Sequence, residues 1–103
     1  MSPNLKSHIN RMRRLRVLQV LYNNRPQELG VGIILQLMRG DEDLKPKAVN
    51  IAQSLDYLEQ RGFCKIKKSA NLWIAKITPE GIDYLEGDDP NVSGISHPDE
   101  FMS

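Results

Sequence analysis

Six polar side chains recur at helical spacing in the middle of the chain: Lys47, Asn50, Gln53, Ser54, Tyr57 and Arg61. Steps of three and four residues place them on one side of a helix, opposite Ala48, Ile51, Ala52, Leu55 and Leu58. Amides, hydroxyls and guanidiniums are the groups that pair with base edges in a major groove. A second set follows, Lys65, Lys67 and Lys68 with Ser69 and Asn71. Side chains of that kind neutralise phosphates and hydrogen-bond to them. With Lys45 at the start of the helix, these residues are the candidate nucleic-acid-binding set. A plainer explanation stands beside it, since exposed helices are polar in any case and lysines on a hairpin also block edge-to-edge pairing. Asp56, Glu59 and the acidic C-terminus weigh against a strongly anion-binding surface.

The elements that must hold these groups are legible. A helix is expected over 45–62, with Pro46 in its first turn and Gly62 taking the left-handed exit. Lys45 is an unusual residue for an N-cap. Two strands are expected next, one over 63–67, where the sequence leaves open whether Phe63 or Ile66 faces inward, and a clearer one over 72–77. The polar turn 67–71 joins them into a hairpin. Thr78 then caps a helix with Pro79 in its first turn, whose Ile82 and Leu85 should pack back on the core.

Two stretches, Leu55-Asp56-Tyr57-Leu58-Glu59-Gln60-Arg61-Gly62-Phe63 and Ile77-Thr78-Pro79-Glu80-Gly81-Ile82-Asp83-Tyr84-Leu85, resemble the winged helix-turn-helix pattern of MarR-type and PadR-type bacterial regulators. The resemblance covers roughly residues 13 to 87. In size and layout the chain is also similar to small winged-helix proteins of Mu-like prophages. The resemblance implies a mainly α fold with a small β-hairpin (α+β), a DNA-binding transcriptional regulator, recognition helix 45–62 in the major groove and wing 63–77 on the backbone. It implies a dimer on double-stranded DNA. The alternative is a winged-helix interaction or assembly module that does not bind DNA, because fold alone does not fix function.

Upstream, a long helix is expected over 4–22. Its apolar residues do not keep one face: Leu5, Ile9 and Met12 line up with Val20, whereas Leu15, Leu18 and Tyr22 fall elsewhere. A helix apolar on two sides has two neighbours. Leu5, Ile9 and Met12 therefore either form a homodimer contact or pack against this chain's own C-terminal helix. A turn at 23–26 leads to a second helix over 27–39, in which Gly30 and Gly32 move the true start towards Val31. The two glycines do not form a phosphate loop, which needs a preceding strand and a third glycine. Leu44 is the candidate first strand beside the hairpin.

The chain has 103 residues, enough for one modest core, and 40% are hydrophobic and 26% charged. Its net charge is only +1, unevenly placed: through Gly87, 14 Lys and Arg stand against 9 Asp and Glu, and the last 16 residues carry four acids and no Lys or Arg. This divides the chain into a basic domain, 1–87, and an acidic, turn-rich and weakly apolar tail, 88–103, expected to be flexible and disordered. The alternative is that Val92, Ile95, Phe101 and Met102 dock on an exposed groove. One cysteine excludes an internal disulfide. With no membrane-length apolar run and no signal-peptide core, the expected compartment is the cytoplasm.

Catalysis requires convergent groups, and none is apparent. Cys64 occupies a strand position suited to a small buried hydrophobe. His8 and His97 lack partners at zinc spacing, and Asp41-Glu42-Asp43 lacks the spaced ligands of a calcium loop. The sequence therefore points to no enzyme, no metal and no cofactor.

Overall fold

Between positions 15 and 21 the first helix is apolar on every side but the one that carries Arg16 and Gln19, and the fold is arranged around it. The structure, a computed structural model, describes residues 4–87 and 94–96. Helix α1 (Asn4–Asn23) buries Leu15, Val17, Leu18, Val20 and Leu21. It is followed by β1 (Leu29–Gly30), α2 (Val31–Leu37), α3 (Ala48–Gln60), β2 (Cys64–Ser69), β3 (Leu72–Ile77) and α4 (Pro79–Leu85). The strands form an antiparallel sheet in the order β1-β3-β2. Helices and sheet enclose one core, in which Ile34, Met38, Ile51, Leu55, Leu58, Ala75 and Tyr84 meet the apolar half of α1. Among the described residues the result is an α+β fold of four helices and a three-stranded sheet.

Three boundaries differ from expectation, each for a local reason. The first strand is not at Leu44. That residue lies buried in a turn closed by its N–H on the Asp41 carbonyl at 3.0 Å, and its own carbonyl accepts from Arg13 Nε at 2.8 Å. Its backbone is thus already paired, and Leu29 and Gly30 join the sheet instead, opposite Ala75 and Ile74. Helix α2 begins at Val31, where its two glycines place it, because Gly30 remains extended, with φ −77° and ψ 161°. It ends at Leu37, short of the expected 39, where the Met38 N–H is shared between the Ile34 and Leu35 carbonyls at 3.0 and 3.1 Å. Helix α3 starts at Ala48, since Lys45 has φ 41° and Lys47 is extended. The Lys47 N–H donates to Asn50 Oδ1 at 2.9 Å, so the asparagine three residues on closes the helix start where the lysine side chain has no acceptor to offer.

The exit of α3 is joined to the entrance of α4. Gly62, with φ 80°, ends the helix, its N–H on the Glu59 carbonyl and the Phe63 N–H on the Leu58 carbonyl, both at 2.9 Å. That is the paired-bond termination that favours glycine. Thr78 then connects the two helices: its N–H donates to the Phe63 carbonyl at 3.1 Å, and its hydroxyl donates to the Gly62 carbonyl while accepting from the Gly81 N–H at 3.2 Å. Gly81 is buried at this junction, where a Cβ would overlap the Phe63 carbonyl. Phe63 precedes β2 and stacks on Tyr84 with ring centroids 5.1 Å apart, and Cys64 and Ile66 face the core. Ile82 and Leu85 pack against that core, as their spacing predicts.

Part of the acidic tail is docked. Ile95 is 4% exposed. Arg14 Nη1 donates to the Gly94 carbonyl at 2.8 Å, the Ser96 N–H to the Arg11 carbonyl at 3.4 Å, and Tyr84 Oη to the Ser96 carbonyl at 3.1 Å. Residues 94–96 thereby strap α1 to α4. Val92, Phe101 and Met102 lie outside the described residues.

Candidate nucleic-acid interface

Helix α3 is covered on two sides, which changes the residues it presents. Ile51, Leu55 and Leu58 point into the core, and the adjacent flank packs beside α1. That flank carries Asn50, Ser54, Tyr57 and Arg61. Ser54 is 4% exposed and offers nothing to a partner. Tyr57 is half-buried, with the Arg14 guanidinium 4.0 Å above its ring and Arg61 Nε donating to its hydroxyl at 3.2 Å. Asn50 is half-buried and holds the helix start. Of the polar face read from the sequence, only Gln53 and Lys47 are exposed on or at the helix without a bond from their side chains. At 3.6 residues per turn, the solvent face runs through Val49, Gln53, Asp56 and Gln60, roughly a quarter turn from the expected one. Val49, 57% exposed, was not in the candidate set.

The two acids of α3 are both occupied. Glu59 accepts the Ile66 N–H at 2.7 Å and so ties the helix to β2. Asp56 accepts from Gln60 Nε2 at 3.0 Å and faces Lys68 Nζ at 3.6 Å. Lys68 also lies 4.3 Å over the Trp73 ring. These contacts bring the hairpin alongside the solvent face of α3.

The hairpin turns at Ala70 and Asn71, with Ser69 opposite Leu72. Its outer face presents Lys65, Lys67 and Lys76, and Lys65 sits directly opposite Lys76. Like charges across a ladder are unfavourable unless an anion separates them. Lys67 has an acidic partner in Glu28, at 3.0 Å. Exposed pairs of this kind contribute less than about 1 kcal/mol, so both Lys67 and Lys68 exchange their carboxylates for another anion at little cost. Ser69 and Asn71 are exposed at the tip, and Lys45 is exposed before α3.

Of the candidate dimer residues, Ile9 and Met12 are half-buried against this chain's own core, and Leu5 is 67% exposed. Cys64 is 1% exposed, and its thiol donates to the Leu55 carbonyl at 3.6 Å. Burial, and to a lesser degree the neighbouring Glu59 carboxylate, pushes it from 9.0 up to about 12. Such a thiol is not a nucleophile at neutral pH. Among the described residues no group of three or more His, Cys, Asp or Glu is placed to hold a metal ion, and no helix is long and apolar enough to cross a membrane.

Comparison of the chain with protein-family models, with curated proteins and with solved structures gives no match.

Proposed function

We propose that the chain is a winged helix-turn-helix protein that binds double-stranded DNA, with α3 as the groove-reading helix, the β2–β3 hairpin as the wing and transcriptional control as the output. The observation that carries this reading is the Lys68–Asp56 contact, which sets a lysine-bearing hairpin beside the exposed face of a 13-residue helix. The element order supports it too, because a short strand between the first two helices completes the sheet of a winged helix. On the helix, Gln53 supplies a bidentate amide for adenine, Val49 and Ala52 supply apolar contact for thymine methyls, and Lys47 and Lys45 meet phosphates at the helix start. Lys65, Lys67, Lys68 and Lys76 neutralise the backbone beside the groove.

The test is binding to random and genomic duplex fragments at two salt concentrations, with the oligomeric state fixed by light scattering. The expected result is salt-sensitive binding and enrichment of a defined sequence, with Gln53→Ala losing about 1–3 kcal/mol of discrimination at one position. Absence of binding at low salt overturns the proposal.

One observation favours an interaction module instead. The solvent face of α3 carries Val49 and Asp56 and no arginine or lysine between positions 48 and 60. Sequence-independent binding retained after Gln53→Ala, or none at all, moves the function to protein contacts through this face.

A further inference from the structure

Between the first half of α1 and the first half of α3 lies a small cleft of about 140 Å³, lined by Asn10, Arg13, Arg14, Asn50, Gln53 and Ser54. None of the six is acidic, and two are guanidiniums. Their hydrogen-bonding capacity is only partly used. Arg13 donates from Nε and Nη2 to the Leu44 carbonyl, which fixes its plane and leaves Nη1 without a bond. Arg14 is held by its stacking on Tyr57 and by Nη1 on the Gly94 carbonyl, leaving Nε and Nη2. Asn50 turns its oxygen to the Lys47 N–H, so that its remaining side-chain capacity is that of a donor. Asn10 and Gln53 bring unengaged amides from opposite walls.

Here two positive charges are held in fixed planes beside amide donors, without a carboxylate among the lining residues. Guanidinium forks of fixed orientation match oxyanions, and the bonds are strengthened by charge. We propose that this cleft binds a phosphate-type oxyanion, either free inorganic phosphate or a phosphate of a nucleic-acid backbone. Donors on both walls suit an anion with acceptor oxygens on several sides better than the two oxygens of a carboxylate. The site stands whether or not the chain reads DNA.

The experiment is a titration of the full chain with inorganic phosphate at constant ionic strength made up with chloride, following the side-chain amide signals of Asn10, Asn50 and Gln53 and the Arg Nε–H signals by NMR. Saturable shifts confined to these groups are expected, weakened about tenfold or more in Asn10→Asp, which places an opposing charge in the cleft while leaving both arginines to support the fold. Gln53→Glu does the same from the exposed wall should the first variant unfold. Shifts that rise linearly with phosphate, or that are equal in wild type and variant, overturn the site. The source of the anion is read from duplex binding. A salt slope lowered by about one in Asn10→Asp assigns the site to a backbone phosphate, and an unchanged slope assigns it to the free ion. Phosphate binding without any duplex binding retires the DNA reading and keeps the cleft.

Discussion

Gly94 sits against the hydroxyl of Tyr57 so closely that a Cβ there would overlap it. The contact has consequences for two helices, because Tyr57 is also the ring on which Arg14 of α1 rests. Gly94→Ala is therefore expected to lift the strap or displace the tyrosine, costing about 1–3 kcal/mol as overpacking does. Combining it with Tyr57→Ala should restore part of the loss. Urea unfolding of the two single variants and the double gives the coupling, and additive effects would mean that the strap does not press on Tyr57.

Thr78 is predicted to matter more than its single hydroxyl suggests. Thr78→Val keeps the shape and removes both the cap on Gly81 and the bond to the Gly62 carbonyl. The loss should be about 1–3 kcal/mol, the range for a cap plus a buried acceptor left without its donor. Thermal unfolding checks it, with Pro79→Ala as a control that retains the hydroxyl.

Cys64 should make stability fall in alkali. Its thiol is raised to about 12 in the fold against 9.0 for the free group, so the protein is favoured fully below pH 9. That contribution is lost as pH rises from 9 to 12, because only the unfolded chain releases the proton. Denaturant midpoints across this window should decline more steeply for wild type than for Cys64→Ala. Parallel declines would assign the alkaline loss to tyrosines and lysines. At neutral pH the native thiol should resist alkylation until the chain unfolds.

Much of this fold can be read from the chain because its signals are local. Gly62, Thr78 and Pro79 mark helix ends by backbone chemistry that acts within a few residues, and the hairpin follows from alternation and a polar turn. The solvent face of α3 was not legible. Periodicity places residues around a helix axis relative to its apolar stripe, but it does not say that α1 covers one flank, and Asn50, Ser54 and Tyr57 fell on that flank. The first strand was hidden for a related reason. Two residues carry no periodicity, and Leu29 and Gly30 are strand only because Ala75 and Ile74 lie opposite. The roles of Arg13 and Arg14 likewise depend on partners 31 and 80 residues away.

Ala70 offers a test of the hairpin itself. It stands at φ 49°, a region that costs an L-residue roughly 1–2 kcal/mol and glycine almost nothing. Ala70→Gly should stabilise the protein by about 1 kcal/mol or less, after the extra freedom of glycine in the unfolded chain is subtracted. A loss of stability in thermal unfolding would show that the turn is held differently.

The docked segment 94–96 changes how the acidic tail should be probed. Deleting residues 88–103 removes four acids and also removes Ile95 and the partners of Arg14 and Tyr84. It should destabilise the fold by about 2–5 kcal/mol, the cost of emptying a buried isoleucine site, and any change in binding would then be confounded. Deleting only 97–103 takes away Asp99 and Glu100 and leaves the strap in place. If those carboxylates compete for the basic surface, this shorter deletion should raise affinity for random duplex DNA at low salt and lose the advantage above about 0.3 M salt, where charges are screened within several ångströms. Equal affinity at low salt would separate the tail from the binding surface.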